Sequence, residues 1–312
     1  MSRNDKHSKV RLVRVDADRD GQRLDNFLST LLEGVPKAAI FRMIRTGQVR
    51  INGGRAKPAA RLAEGDEVRV PPARTREQQQ ATVSEEVRRQ VRAAILHEDA
   101  DLLVVNKPAG MAVHAGSGLP WGLIDALRQD RPGDYFELAH RLDRETSGCL
   151  VVARSGAALN HLSTQFRHGS VRKFYLCLMD GRLPEDLVEV DAPLVRTETD
   201  SRVSTEADEG GKPSRTRFRL LQRIHGCSYV EAELLTGRTH QIRVHALHIG
   251  LPLAGDTKYA DREAGKRWKK RGLNRLFLHA HRLGLIAPSG EDLEFAAPLP
   301  DSLREVLDRL ER

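Results

Sequence analysis

The chain has 312 residues, enough for one large domain with a smaller one beside it. Its 39% hydrophobic and 30% charged residues exclude wholesale disorder, and 51 Lys+Arg against 43 Asp+Glu leave a net charge of +8. That surplus favours a polyanionic partner, because neutralising phosphates releases counterions, although a merely basic soluble protein carries the same footprint. In chain order, residues 1–15 are basic, lack the apolar run of a secretory leader and read as a flexible arm. Leu24, Phe27, Leu28 and Leu31 recur at helical spacing and predict an amphipathic helix over Arg23–Leu31. A second helix follows Pro36, stopped at Gly47. Val49 and Ile51, the Asn52-Gly53 turn and Glu67–Val70 then read as short strands. Pro71-Pro72 closes this unit, and the polar stretch after it is assigned to a linker over 73–92.

The remaining 93–312 alternate apolar runs with helical stretches. Strands are predicted at Leu102–Val105, Leu150–Ala153, Phe174–Leu178, Tyr229–Leu235 and Leu276–His279, and helices at Gly156–Phe166 and Gln241–Ile249. The pattern is α+β: a small αβ module over 16–72 ahead of a larger catalytic domain. No apolar run approaches the ~18 residues of a membrane span. Cys149, Cys177 and Cys227 are far apart in apolar or mixed surroundings, so buried free thiols and a reducing, cytoplasmic compartment are expected.

Two segments concentrate chemistry. His140-Arg141-Leu142-Asp143-Arg144-Glu145-Thr146-Ser147-Gly148 packs five ionisable residues just before an apolar strand, where functional loops commonly sit, although a solvated salt-bridged turn has the same composition. In Thr236–His245 a strand ends at Gly237, Thr239 is placed to cap the next helix, and Arg243 can reach a carboxylate of another loop in fork geometry. Together they suggest one shared cleft. A metal reading of His240, His245, His248, His279 and His281 fails on spacing, since no pair is four apart with an acid between. There is no GxSxG elbow, and Gly116-Ser117-Gly118 lacks the sequel of a P-loop and reads as a turn.

The loop HRLDRETSG (140–148) resembles the signature loop of the RluA-type pseudouridine synthases. Val105–Gly110, Lys173-Phe174-Tyr175, TGRTHQIRVH (236–245) and Arg275–Ala280 agree with that family in order and spacing. The front segments GQRLDNFL (21–28), GVPK (34–37) and GDEVRVPP (65–72) resemble an S4-type RNA-binding domain. The resemblance implies a mixed, largely antiparallel sheet with a central cleft, and isomerisation of uridine to pseudouridine without cofactor or metal. Within the family the chain looks most similar to members acting on large-subunit (23S) ribosomal RNA or its precursor, working as a monomer. It further implies that Asp143 is catalytic, that Tyr175 stacks on the target base, and that Arg243 pairs with Asp143. By the same carry-over Arg141 fills the space of the flipped nucleotide and Leu278 lines the pocket, while His140 and Lys173 belong to the RNA-contacting set. In the front module Lys37, Arg42 and Arg45, with Arg50 and Arg55 beside them, are placed for phosphate contacts, where an ordinary solvated helix face is the plainer reading. A catalytically idle RNA-binding factor on the same fold and a histidine-based metallohydrolase are the rival classes.

Overall fold

The computed structural model describes residues 10–32, 35, 37–72, 81–116, 119–197, 201–203 and 210–312. Strand β1 (Arg11–Arg14) begins the front module, followed by helices α1 (Leu24–Leu31) and α2 (Lys37–Arg45) and strands β2 (Arg50–Ile51), β3 (Gly54–Arg55) and β4 (Glu67–Val70). The strands form an antiparallel sheet in the order β1-β4-β2-β3. Asn52 and Gly53 both take positive φ, the geometry that a two-residue hairpin needs to match strand twist. Leu24, Phe27, Leu28, Ile40 and Ile44 bury their helix faces against Val15, Val49, Val68 and Val70, so this module has its own core. Residues 11–15 therefore belong to the module and not to a flexible arm: Arg11–Arg14 pair with Glu67–Val70, and Val15 is buried. Met1–Lys9 of the expected arm, and Gly34 and Pro36 of the GVPK segment, lie outside the described residues.

The expected linker is also shorter. Residues 73–80 of it lie outside the described residues, but Glu85–Ala93 form helix α3, whose N-cap Ser84 accepts a hydrogen bond from the Val87 amide. Val91 is buried and Val87 packs beside it in the main core, so the polar look of this stretch comes from a helix with one narrow apolar stripe. Beyond it lie β5 (Ile95–Glu98), β6 (Leu102–Lys107), α4 (Leu123–Asp130), β7 (Glu137–Leu138), β8 (Ser147–Ala153), α5 (Gly156–His168) and β9 (Arg172–Met179). Next come β10 (Leu187–Asp191), β11 (Leu194–Arg196), β12 (Ser201–Val203), β13 (Arg215–Ile224) and β14 (Cys227–Leu234). The chain ends with α6 (Gln241–His248), α7 (Arg262–Lys270), β15 (Leu278–Ile286), β16 (Asp292–Ala296) and α8 (Asp301–Glu311).

Ten of these strands make one sheet in the order β10-β13-β14-β9-β15-β8-β6-β5, with β16 on β15 and β7 on β8. Of these strands only β15 and β8 run parallel, so the sheet is mixed and largely antiparallel, as the family resemblance implied. Three cores form on this sheet, one under α3 and α4, one under α5 and one under α7 and α8. The parallel seam is tight: a Cβ on Gly148, which has φ +114°, would lie 2.1 Å from the Ala280 carbonyl oxygen. Ala280 stands opposite Gly148 on one side and Tyr175 on the other, which sets the end of the 140–146 loop beside the middle of β9. The module touches the larger domain through Asn160 of α5, whose side-chain amide donates to the Asp20 carbonyl at 2.6 Å.

Candidate active site

The cleft begins with the loop between β7 and β8. Lys107, fully buried at the end of β6, donates to the carbonyls of Pro108 (2.9 Å), Met111 (2.8 Å) and Arg144 (3.1 Å). Arg144 Nε donates to the Gly110 carbonyl in return, so the 107–111 turn is stitched to the 140–146 loop. Burial lowers the Lys107 ammonium to about 7; Arg275 adds to this, and the Asp143 and Glu145 charges oppose it. Below the loop, His279 Nε2 faces the Ala297 carbonyl at 3.2 Å, which leaves Nδ1 to accept from Ser147 Oγ at 2.9 Å. Ser147 in turn accepts from Arg275 at 2.8 Å. Lys107, Ser147, Arg275 and His279 each have directional partners in this floor, and the loop is held stiffly from beneath.

The cleft encloses about 590 Å³ and is lined by Arg141, Leu142, Asp143, Tyr175, Leu278 and Arg243, among others. That volume is in the range of small-ligand sites. Tyr175 and Leu278 come from the adjacent strands β9 and β15 and are 9% and 3% exposed, forming an apolar wall. Burial, reinforced by the Asp143 charge, keeps the Tyr175 phenol protonated far above its ordinary range, so it serves as a neutral surface with one O–H. Asp143 keeps 23% of its side chain exposed at this wall. Arg141 is exposed on the rim and makes no hydrogen bond or ion pair among the described residues. Lys173 is buried on β9 and likewise unpaired among the described residues. Burial, with Arg238 nearby, lowers its ammonium from the ordinary range.

His140 differs from its expected part as an RNA contact. Its Nε2 accepts the Val151 amide at 2.9 Å and its ring stacks on Phe166 at 4.3 Å, while burial, with help from Lys173, lowers it to about 3. It is a neutral wedge that fixes the start of the loop.

Helix α6 carries the opposite wall. Gln241, buried, accepts from Thr236 Oγ1 (2.8 Å) and the Arg238 amide (3.0 Å), and donates to the Arg215 carbonyl (2.9 Å) and Thr216 Oγ1 (3.0 Å). These bonds fix the 235–240 turn. The N-cap residue is His240, not Thr239 as the spacing suggested, and no side chain caps the helix. Arg243 makes the fork that its position predicts, but with a different carboxylate. Nε and one terminal nitrogen donate to Asp256 at 2.8 and 2.7 Å, and the expected pair with Asp143 is not formed. Asp256 also accepts the amides of Lys258 and Tyr259, so a turn preorganised by backbone N–H groups outcompetes a loop carboxylate across the cleft. Burial opposes both charges, yet each keeps the other ionised: Asp256 is held below the usual carboxylate range and Arg243 above its own. Arg243 also lies over the Tyr259 ring at 4.9 Å.

Asp256 and Tyr259 were not singled out from the sequence. The one local signal was an acid in a Gly-Asp-Thr turn after an apolar run, and nothing in it marks a partner for Arg243. The histidines of the metal reading are engaged elsewhere: His245 bonds Thr216 and Ala192, and His279 bonds Ser147 and Ala297. Ser117 and Gly118 of the 116–118 turn lie outside the described residues.

On the front module Arg42, Arg45, Arg50 and Arg55 are exposed, and Arg42 and Arg45 fall in the last turn of α2. Lys37 opens that helix, and its side chain lies outside the described part.

Comparison with known proteins agrees with this architecture. The family model described as RNA pseudouridylate synthase matches residues 101–248, and the S4 domain model matches 22–68. "Ribosomal large subunit pseudouridine synthase C" of Yersinia pestis is 47% identical over 304 residues, covering 96% of this chain and 95% of that protein. The protein of the same name from Haemophilus influenzae (strain ATCC 51907 / DSM 11121 / KW20 / Rd) is 43% identical, covering 97% and 96%. Among solved structures, "Human RNA Pseudouridylate Synthase Domain Containing 4" superposes with a TM-score of 0.61 at 27% identity, over 72% of this chain and 95% of that one. The chain belongs to the RNA pseudouridylate synthase family, with an S4 domain ahead of its catalytic domain, and is an RNA pseudouridine synthase.

Proposed function

We propose that this enzyme isomerises selected uridines of large-subunit (23S) ribosomal RNA to pseudouridine, with Asp143 as the catalytic carboxylate. The observation that carries the reading is the meeting of Asp143 with the apolar wall of Tyr175 and Leu278 in a cleft whose floor is tied together by the Arg275–Ser147–His279 hydrogen bonds. The reaction breaks the N1–C1′ bond, turns the uracil, joins C5 to C1′ and returns the C5 proton to the ring. No atom is gained, so the chemistry needs no cofactor, only a carboxylate, a dry pocket and a way to hold the detached base. Tyr175 offers the base a flat neutral face, and Leu278 keeps water out. A base within a helix must leave the stack at a cost of a few kcal/mol, and Arg141, unpaired on the rim, offsets that cost by filling the vacated space. Lys173 lines the same cleft, unpaired among the described residues, and contacts the flipped nucleotide.

The ribosomal large subunit appears in the names of relatives that match this chain over nearly its full length, which supports its RNA as the substrate. The S4 domain, with Lys37, Arg42 and Arg45, binds the surrounding phosphates. The enzyme works as a monomer, a reading supported by exposed large apolar residues that, among the described residues, are spread over several elements. Three buried unpaired thiols fit a reducing cytoplasm. The test is pseudouridine mapping in ribosomal RNA from cells lacking the protein. Specific large-subunit sites should be lost, then restored by the parent gene and not by Asp143→Asn. Restoration by Asp143→Asn overturns the catalytic assignment.

A further inference from the structure

Lys173 and Tyr175 lie on one face of β9, two residues or about 6–7 Å apart, and both line the cleft. Phe174 between them faces the other way, with the Arg282 guanidinium over its ring at 4.5 Å. The step from Tyr175 to Lys173 is comparable with that from a nucleotide's base to its phosphate. Lys173 is 8% exposed and makes no hydrogen bond or ion pair among the described residues. Its Nζ ends beside Gly237, where a Cβ would lie 3.9 Å away, so the ammonium reaches a position that carries no side chain. A lysine is almost never this buried unless it is paired, and its partner is therefore expected to come with the substrate.

Two arginines line the same cleft. Arg238, next to Gly237, donates Nε to the Pro213 carbonyl at 3.3 Å and keeps its terminal nitrogens free among the described residues. Its charge acts on Lys173. Arg167, exposed in the last turn of α5, makes no hydrogen bond or ion pair among the described residues. It lines the cleft and also a second groove of about 490 Å³ between α5 and the front module, together with Asn26, Arg61 and Asn160. Among the described residues Asp143 is the one acid lining the cleft, and Arg243 is committed to Asp256. Like charges with no acid between them repel, and an anion seated among them removes that cost.

We propose that Lys173, Arg238 and Arg167 form a phosphate subsite that holds the phosphodiester flanking the flipped uridine, on the side from which the strand runs over Arg167 into the groove beside the front module. The base then lies on Tyr175 while its phosphate is held two residues back along the same strand. This inference deepens the reading of the cleft as the uridine site and rests on it.

The experiment uses the full chain and a fragment of large-subunit ribosomal RNA that carries a target uridine. The fragment is made with ordinary phosphodiesters, or with one neutral methylphosphonate 5′ or 3′ to that uridine, and affinity is measured at several salt concentrations. Lys173→Met is expected to weaken binding about tenfold and to flatten the slope of log affinity against log salt by about 0.7–0.9, one phosphate contact. Arg167→Gln and Arg238→Gln should each weaken it about threefold to fivefold, and Lys173→Arg should recover most of the affinity. One of the two methylphosphonates should cost the parent about tenfold but Lys173→Met less than about twofold, because that contact is already gone. Should Lys173→Met fold poorly, the two arginine variants decide by the same comparison. A parent slope in all three variants, or a methylphosphonate loss that adds in full to theirs, overturns the proposal. Asp143→Asn is run in parallel. Pseudouridine formed by that variant, with the methylphosphonate effect still dependent on Lys173, sinks the underlying reading and leaves the subsite standing. An inactive Asp143→Asn beside fully additive losses sinks only the subsite.

Discussion

A buried ion pair stabilises a fold less than its removal by halves suggests, and the Arg243–Asp256 pair allows that difference to be measured. Arg243→Met leaves a carboxylate 1% exposed without its guanidinium, which costs about 3–5 kcal/mol. Arg243→Met with Asp256→Leu removes both charges and should regain most of that stability without regaining full activity, because the 255–259 turn loses its anchor. Urea unfolding of the two variants checks this; full stability of the single variant would show that Arg243 serves Asp143 and not Asp256. The sign with pH follows from the same pair. Asp256 is ionised in the fold below the usual carboxylate range, so the stability it adds is complete above that range and is lost as pH falls through the depressed value. His279 adds to acid sensitivity. Its ordinary value of 6.5 falls to about 4 on burial, so the unfolded chain binds a proton that the fold refuses. Folding is therefore up to about 3 kcal/mol weaker at pH 4 than at pH 7 from this group alone. His279→Gln should flatten the rise in melting temperature between pH 4 and 6.5, and an unchanged slope would count against it.

At the scale of elements the catalytic loop is fixed by strand pairing more than by its own bonds. Gly148→Ala places a methyl 2.1 Å from the Ala280 carbonyl and strains φ +114°, so β8 must leave β15. A cost of about 2 kcal/mol or more is expected, with a melting temperature lower by roughly 5 °C. Activity should fall further than stability, since Asp143 follows β8; equal activity at a temperature where the variant is folded would refute the coupling. Strands β6, β8 and β9 were legible in the sequence because they are buried apolar runs, whereas β15 was anticipated only at Leu278-His279. Strand β13 was not, because Arg215, Arg217 and Arg219 look like loop residues. Their charges are met across the sheet by Glu189, Glu233 and Glu231, which only pairing reveals. Helix α3 was lost for a similar reason, with two apolar positions on an otherwise charged face. The cleft was legible as two charged segments, and the resemblance supplied roles for Asp143 and Tyr175. The partner of Arg243 was illegible, since a choice between Asp143 and Asp256 depends on which loop arrives preorganised.

Across the whole molecule, chemistry and affinity are separated. The cleft lies on the large sheet, whereas Arg42, Arg45, Arg50 and Arg55 are exposed on a module with its own core. If these side chains neutralise phosphates, each contact contributes about 0.7–0.9 to the slope of log affinity against log salt. Replacing all four with Gln should therefore weaken binding to large-subunit ribosomal RNA, and should flatten the slope by up to about 3. None of the four lines the cleft, so the single-turnover rate at saturating RNA should stay within about twofold of the parent. Affinity measured between 50 and 300 mM salt, with the rate measured at saturation, tests both halves. A slope equal to the parent's would return these arginines to the status of a solvated surface. A lost rate at saturation would mean instead that the front module helps to set the base in the cleft, and Asn160 holding Asp20 is then the first contact to probe.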